Sequence, residues 1–173
     1  VQAEPFYDTW GSNITFLKSY AKYSHYVSLT EDGDWVLAGQ LGLGSITGAP
    51  LMSLPADERF YGGGGGSIRG YPYQSVSPLI GNSPIGGRSI MELSFELRAR
   101  ITENIGVVAF LDGGSAFASQ IPDFSEDVLW GAGAGFRYYT PIGPVRLDVG
   151  FPLNRRDGID DAFQIYVSVG QAF

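Results

Sequence analysis

The residues best placed to do chemistry are Arg69 and the acids that follow it in the chain. Arg69 stands three residues after a run of five glycines, Gly62–Gly66, inside the stretch Arg59–Tyr71. A guanidinium is always charged and grips carboxylates through paired hydrogen bonds, so its chemistry is ion pairing rather than proton transfer. Glycines accept positive φ and let the backbone pass close to a wall, so the run suits a loop threading a narrow space better than a solvated tip. The combination predicts an all-β membrane barrel with a loop folded into its lumen.

Other chemistry finds little support. His25 is the one histidine, which restricts general-base and metal chemistry sharply. Ser24 is adjacent, but neighbouring strand residues point to opposite faces, so the two cannot form a dyad and His25 reads as a membrane-edge or turn-proximal residue. The segment Asn154–Asp161 gathers acids around Gly158 but lacks alternating ligands and a distant glutamate, and reads as a solvated outer loop rather than a calcium loop. The glycine run lacks the Lys-Ser/Thr and helix start of a phosphate cradle. No enzyme and no cofactor is expected.

Composition sets the frame for these residues. At 173 residues the chain is expected to form one domain, residues 1–173, with residues 47–88 a long lumen-directed loop. Ten Tyr, 11 Phe, 3 Trp and 25 Gly favour strands and tight turns over helices. The net charge of −7 and the lack of any Lys/Arg run set nucleic acid aside as a partner. With no cysteine there is neither a disulfide framework nor a thiolate metal site. No apolar run approaches the roughly 20 residues of a membrane helix, so a bilayer would be crossed by strands. Val1–Pro5 shows no start methionine or signal segment, and the chain reads as a mature or trimmed piece.

Period-two alternation is strongest in the second half. Met91, Leu93, Phe95, Leu97, Ala99 and Ile101 share one face, against Glu92, Ser94, Glu96, Arg98 and Arg100 on the other. One apolar wall and one heavily charged wall fit a strand between lipid and a wet lumen. Trp130, Ala132, Ala134, Phe136 and Tyr138 alternate with Gly131, Gly133, Gly135 and Arg137; Val145, Leu147, Val149 and Phe151 with Arg146, Asp148 and Gly150. In the last strand Phe163, Ile165, Val167 and Val169 alternate with Gln164, Tyr166, Ser168 and Gly170. Small inward glycines leave room inside. With further strands near 2–8, 14–29, 34–46 and 105–117, the chain offers about eight of the roughly 9–11-residue length a tilted span needs. Short turns at Thr30–Asp34, Thr102–Asn104 and Pro141–Pro144 alternate with long links at 47–88, 118–128 and 154–161, the layout of an outer-membrane barrel. Tyr20, Tyr23, Tyr26, Trp130, Tyr138 and Tyr139 read as interface girdle or lumen packing.

Four features together make the chain resemble the C-terminal half of the BamA/TamA/FhaC-type family of outer-membrane insertases and translocases, TamA more than BamA. Ile68, Arg69, Gly70 and Tyr71, preceded by Phe60–Gly63, resemble the loop motif that folds back into the barrel. Phe110, Asp112 and Gly114 resemble a Phe-x-Asp-x-Gly signature on a following strand, and Ser94–Glu96 occupies the strand after the loop. Gly143–Asp148, leading to a last strand that ends at Phe173, resembles the TamA-type ending with its terminal aromatic. The polar faces bearing Glu92, Glu96 and Asp112 put acids where Arg69 could arrive; Asp112 and Glu96 are the expected partners of Arg69, as the family also implies.

The resemblance implies a bacterial outer-membrane antiparallel barrel of about sixteen strands, of which about eight are here; the alternative is a small closed eight-stranded barrel. It implies insertion or translocation of unfolded outer-membrane clients, autotransporters among them, through a lateral seam lined by the terminal strand, with Phe163, Gly170 and Phe173 as its landmarks. Membrane lipids are implied as partners, as are periplasmic or inner-membrane proteins reached through upstream POTRA domains, and a half-barrel could also self-associate. The second reading is a passive small pore or structural anchor.

Overall fold

The computed structural model describes residues 1–7, 14–141 and 143–170. Eight strands form one antiparallel sheet: β1 (Gln2–Tyr7), β2 (Thr15–Ser28), β3 (Trp35–Thr47), β6 (Ser89–Arg100), β7 (Ile105–Phe117), β8 (Leu129–Thr140), β9 (Gly143–Pro152) and β10 (Gln164–Val169). Each pairs with its sequence neighbour in that order. Between β3 and β6 the chain carries two single-turn 3₁₀ segments, Leu51–Ser53 and Ala56–Glu58, and a two-residue ribbon, β4 (Leu79–Ile80) with β5 (Ser83–Pro84). Strands of two residues are too short to show a period in the sequence.

The expected strands and their faces agree with the structure to within a residue or two over most of the sheet. Register explains why. Once Glu96 lies opposite Phe110 and Ala38, and Gly135 opposite Asp148 and Val108, every charged or small residue of one parity falls on the same side. Leu17, Leu37, Leu41, Phe95, Leu97, Val107, Leu111, Phe136, Leu147, Phe151, Ile165 and Val167 stand exposed on the other side. Such a continuous apolar outer face is what lipid covers in a transmembrane barrel.

Among the described residues β1 bonds only to β2 and β10 only to β9, so the sheet is open at both edges. Eight strands closing on themselves is therefore not what this chain does; the sheet has the form of half a larger barrel. Phe173 lies outside the described residues.

Residues 48–88 fold across the inner face. Ala49, Leu54 and Phe60 from this segment join Phe16, Ile46, Ile90 and Ala116 of the strands in one buried cluster. Arg59 fastens the segment to itself, donating to the carbonyls of Leu54 (2.7 and 3.1 Å) and Ile85 (2.8 Å). Phe60 and Gly87 exchange backbone bonds of 2.9 and 2.8 Å, and Gly62 and Val76 bonds of 2.9 and 3.0 Å, so the loop carries its own short ladders. Peptide groups of the buried part of this segment find partners in its own ladders and on the wall.

The aromatic residues divide between the two faces. Tyr23, Trp35 and Tyr138 are exposed on the outer face toward the short turns, and the Trp130 ring lies over Gly113 toward the long loops. Tyr20, Tyr26 and Tyr139 face inward, near Glu92, Arg98 and Arg100 respectively. Leu111, at the middle of β7, tests this sidedness. Leu111→Arg is expected to lower stability in lipid vesicles by about 2–4 kcal/mol, and Tyr138→Arg near the interface by only about 0–1 kcal/mol, in denaturant titrations of the lipid-embedded protein.

Candidate functional site: a buried arginine holding the loop to the wall

Three strands and one loop build the site. β6 supplies Ser94 and Glu96, β7 supplies Phe110 and Asp112, β9 supplies Asp148, and the loop delivers Arg69. Antiparallel register sets Ser94 opposite Asp112 and Glu96 opposite Phe110, so two carboxylates and an aromatic ring point inward within two rungs of the ladder.

Arg69 is 2% exposed and uses nearly every donor it has. Its Nε donates to Asp112 Oδ2 at 2.6 Å and its Nη2 to Asp112 Oδ1 at 2.9 Å, a two-pronged grip. Its backbone N–H adds a third bond to Asp112, at 3.1 Å. Nη1 donates to Glu96 Oε1 at 2.7 Å and lies 3.5 Å from Asp148 Oδ2. The guanidinium sits 3.6 Å from the centre of the Phe110 ring, so the plane left free by the carboxylates is covered by π density. Burial opposes the charge on Arg69, but hydrogen bonds and charge from Asp112 and then Glu96 outweigh it, raising its pKa above the ordinary arginine value.

The carboxylates have partners of their own on the wall. Arg98 donates to Glu96 Oε2 at 2.7 Å. Arg137 of β8 and Arg146 of β9 both bond to Asp148, the latter at 2.9 Å. Among the described residues Arg69 is the cation that bonds Asp112, whose other side-chain contact is the Ser94 hydroxyl at 2.5 Å. Undocking the loop would therefore leave Glu96 and Asp148 with cations and Asp112 with the Ser94 hydroxyl but no cation.

Glycines of the wall give the loop its seat. A methyl group at Gly131 would overlap the carbonyl oxygen of Arg69, and one at Gly150 would come within 2.7 Å of the Gly70 nitrogen. Gly70 itself has φ +102 and passes so near β9 that a Cβ would stand 2.9 Å from the Phe151 backbone, a place only glycine fills easily.

The remaining motif residues are anchored nearby. Ile68 is fully buried, with its Cδ1 3.0 Å from where a Cβ on Gly114 would be. Tyr71 is buried with Ile68, Val76 and Leu129, and its hydroxyl donates to the Trp130 carbonyl at 2.9 Å. Glu92, which shares a face with Glu96, sits further along β6 and instead accepts from Tyr20 at 2.7 Å and from the Ser67 hydroxyl. The terminal-strand residues lie apart from the arginine. Phe163 is exposed on the outer face, 6.2 Å from the Phe151 ring, and Gly170, at φ +108, still donates to the Pro144 carbonyl at 2.8 Å.

Several participants do not stand out in the sequence as parts of this site. Asp148, Arg137 and Arg146 are recognisable as inward charges, but only the lateral register of β7, β8 and β9 brings Asp148 beside Arg69. The loop at 154–161 is a correction. It is not simply solvated: Asp160 is 5% exposed, Arg156 binds it at 2.7 and 2.8 Å, and Arg156 donates to the Ser75 carbonyl at 3.1 Å. An ion pair four residues apart was available as a signal, but what it docks against was not. Ser24 and His25 face opposite ways, Ser24 accepting from Gln40 at 3.0 Å and His25 stacked beside Tyr23.

The Omp85 superfamily domain matches residues 1–173. Outer membrane protein assembly factor BamA of Nitratidesulfovibrio vulgaris is 30% identical over 169 residues, covering 94% of this chain and 21% of that protein. BamA of Neisseria meningitidis serogroup B is 22% identical over 180 residues, covering 84% of this chain and 22% of that protein. The crystal structure of Haemophilus ducreyi BamA lacking POTRA domains 1–3 has a TM-score of 0.72 at 23% identity, over 90% of this chain and 35% of that one. The chain thus spans about a fifth of the curated relatives' length. These relatives carry the BamA name, so the leaning toward TamA gains no support from them.

Removing Arg69 leaves Asp112 buried without its cation. Arg69→Ala is expected to weaken the docked loop by about 3–5 kcal/mol, read as protease cleavage within residues 62–78 while the strands stay intact. Arg69→Ala combined with Asp112→Asn should recover part of that loss in the same assay, since the orphaned charge is gone. Gly131→Ala should expose the same segment to protease with no charge removed.

Proposed function

The chain belongs to the Omp85 superfamily, and on that premise we propose that it is the C-terminal part of an outer-membrane barrel that inserts or translocates unfolded outer-membrane proteins. Location in the bacterial outer membrane accompanies family membership and agrees with the apolar outer face. The observation that carries the reading is the inner-face loop pinned by Arg69 to Asp112 and Glu96. A segment tied across the inner face by a buried ion cluster fills the lumen while no client is engaged, as a machine that must stay sealed between clients requires.

The mechanism would act at the terminal strand. Among the described residues β10 bonds to β9. A client strand adding along a seam there would satisfy its main-chain groups before any side chain is recognised. That mode of recognition is indifferent to client sequence, and its driving force is the client's own folding in the membrane. Ile68, Gly70 and Tyr71 hold the loop's shape, Arg69 supplies the docking charge, and Glu96, Phe110, Asp112 and Gly114 form its receptor on the wall. Phe163 and Gly170 bracket the strand that forms one lip of the seam. Upstream periplasmic domains and accessory subunits belong to the same reading, as does a clientele that includes autotransporters.

The passive-pore reading is weaker because residues 48–88 occupy the inner face that a conducting channel would leave open. The test is reconstitution of the intact protein in lipid vesicles with an unfolded outer-membrane protein as client. Arg69→Ala is expected to slow client folding at least about tenfold, with Arg69→Lys intermediate because an ammonium cannot make the two-pronged grip. Unchanged client folding, with a steady ionic conductance, would favour the pore.

A further inference from the structure

Tyr166 lies at the centre of β10, on its inward face, opposite Asp148 of β9. Its hydroxyl accepts from the Gly70 N–H at 2.9 Å and donates to the Tyr71 carbonyl at 2.9 Å. One phenol thus closes a bridge between the terminal strand and the two residues that follow Arg69. The ring is also a seat for the glycine run: a Cβ on Gly65 would stand 3.1 to 3.3 Å from three carbons of Tyr166. Nothing in the loop motif, the acid pair or the strand landmarks calls for this residue.

We propose that Tyr166 is a latch that couples the docked state of the loop to the pairing of the terminal strand, so that release of one loosens the other; this rests on the seam reading above. β10 is short, six residues laddered to β9, so bonds made through its side chains add appreciably to what holds it. The Arg69 cluster is the strong attachment of the loop to β6, β7 and β9, and Tyr166 is its attachment to β10. Coupling of this kind is reciprocal: a client strand that displaces β10 would weaken the loop's hold, and a loop drawn out of the lumen would free β10 for pairing. Tyr166 acts through Gly70 and Tyr71, and so is a positioning residue.

Hydrogen exchange on the intact protein in lipid tests this directly. Tyr166→Phe keeps the ring against Gly65 and removes both hydrogen bonds. Arg69→Ala and Tyr166→Phe should each raise exchange of the β10 amides by on the order of tenfold, and the double variant should exchange no faster than the faster single. A purely local packing role would give additive effects instead, and that result would overturn the proposal. So would Arg69→Ala raising exchange at Gly70 with β10 unchanged. Should Tyr166→Phe fail to fold, Gly65→Ala presses on the ring from the loop side and is expected to raise β10 exchange; no rise there would also overturn the latch. Client folding is measured in parallel: coupled exchange with unaltered client folding would refute the insertase reading and leave the latch standing.

Discussion

A charged guanidinium almost wholly removed from water is the constraint on which the inner half of this structure depends. Arg69 is 2% exposed, Glu96 1% and Asp112 0%, so each charge is held out of water and has to be met by opposite charge at close range. The cost of desolvation is offset only by short bonds in fixed geometry, and fixed geometry requires β6, β7 and β9 to hold their register. The ion cluster is therefore a check on the fold as much as an attachment for the loop. A slip of one residue in any of these strands would turn a carboxylate toward lipid.

Two of the three carboxylates around Arg69 keep cations without the loop. Glu96 keeps Arg98, and Asp148 keeps Arg137 and Arg146. Of the three carboxylates that Arg69 meets, only Asp112 is left without a cation when Arg69 leaves, which makes docking strong but not indispensable to the sheet. That asymmetry suits a loop that must hold position firmly and still be removable. The glycines of β8 and β9 complete the arrangement by giving backbone, rather than side chain, as the surface the loop rests on.

Outer and inner faces answer to different solvents. The outer face presents leucine, valine and phenylalanine with little specificity, as a lipid boundary requires. The inner face spends charge, hydroxyls and glycine on one segment of its own chain, and joins that segment to both the middle of the sheet and its terminal edge. The edge strand and the plugging loop are consequently parts of one mechanical unit, although 95 residues separate Tyr71 from Tyr166.

Membership of strands, the side each residue faces and the alternation of short turns with long loops were all determined by the sequence alone, because a period of two needs no knowledge of neighbours. Arg69, Asp112 and Glu96 could be singled out for the same reason: their parity and motif context are local. What only tertiary structure decided was lateral. It brought Asp148 beside Arg69, turned Glu92 toward Tyr20 and Ser67, folded Arg156 and Asp160 back onto the loop, and set Tyr166 against Gly70. Among the described residues it also left the eight-stranded sheet unclosed. Alternation along one strand fixes which way a side chain points, but its partners depend on the stagger between strands and on the path of a loop, and neither is written in any single stretch of chain.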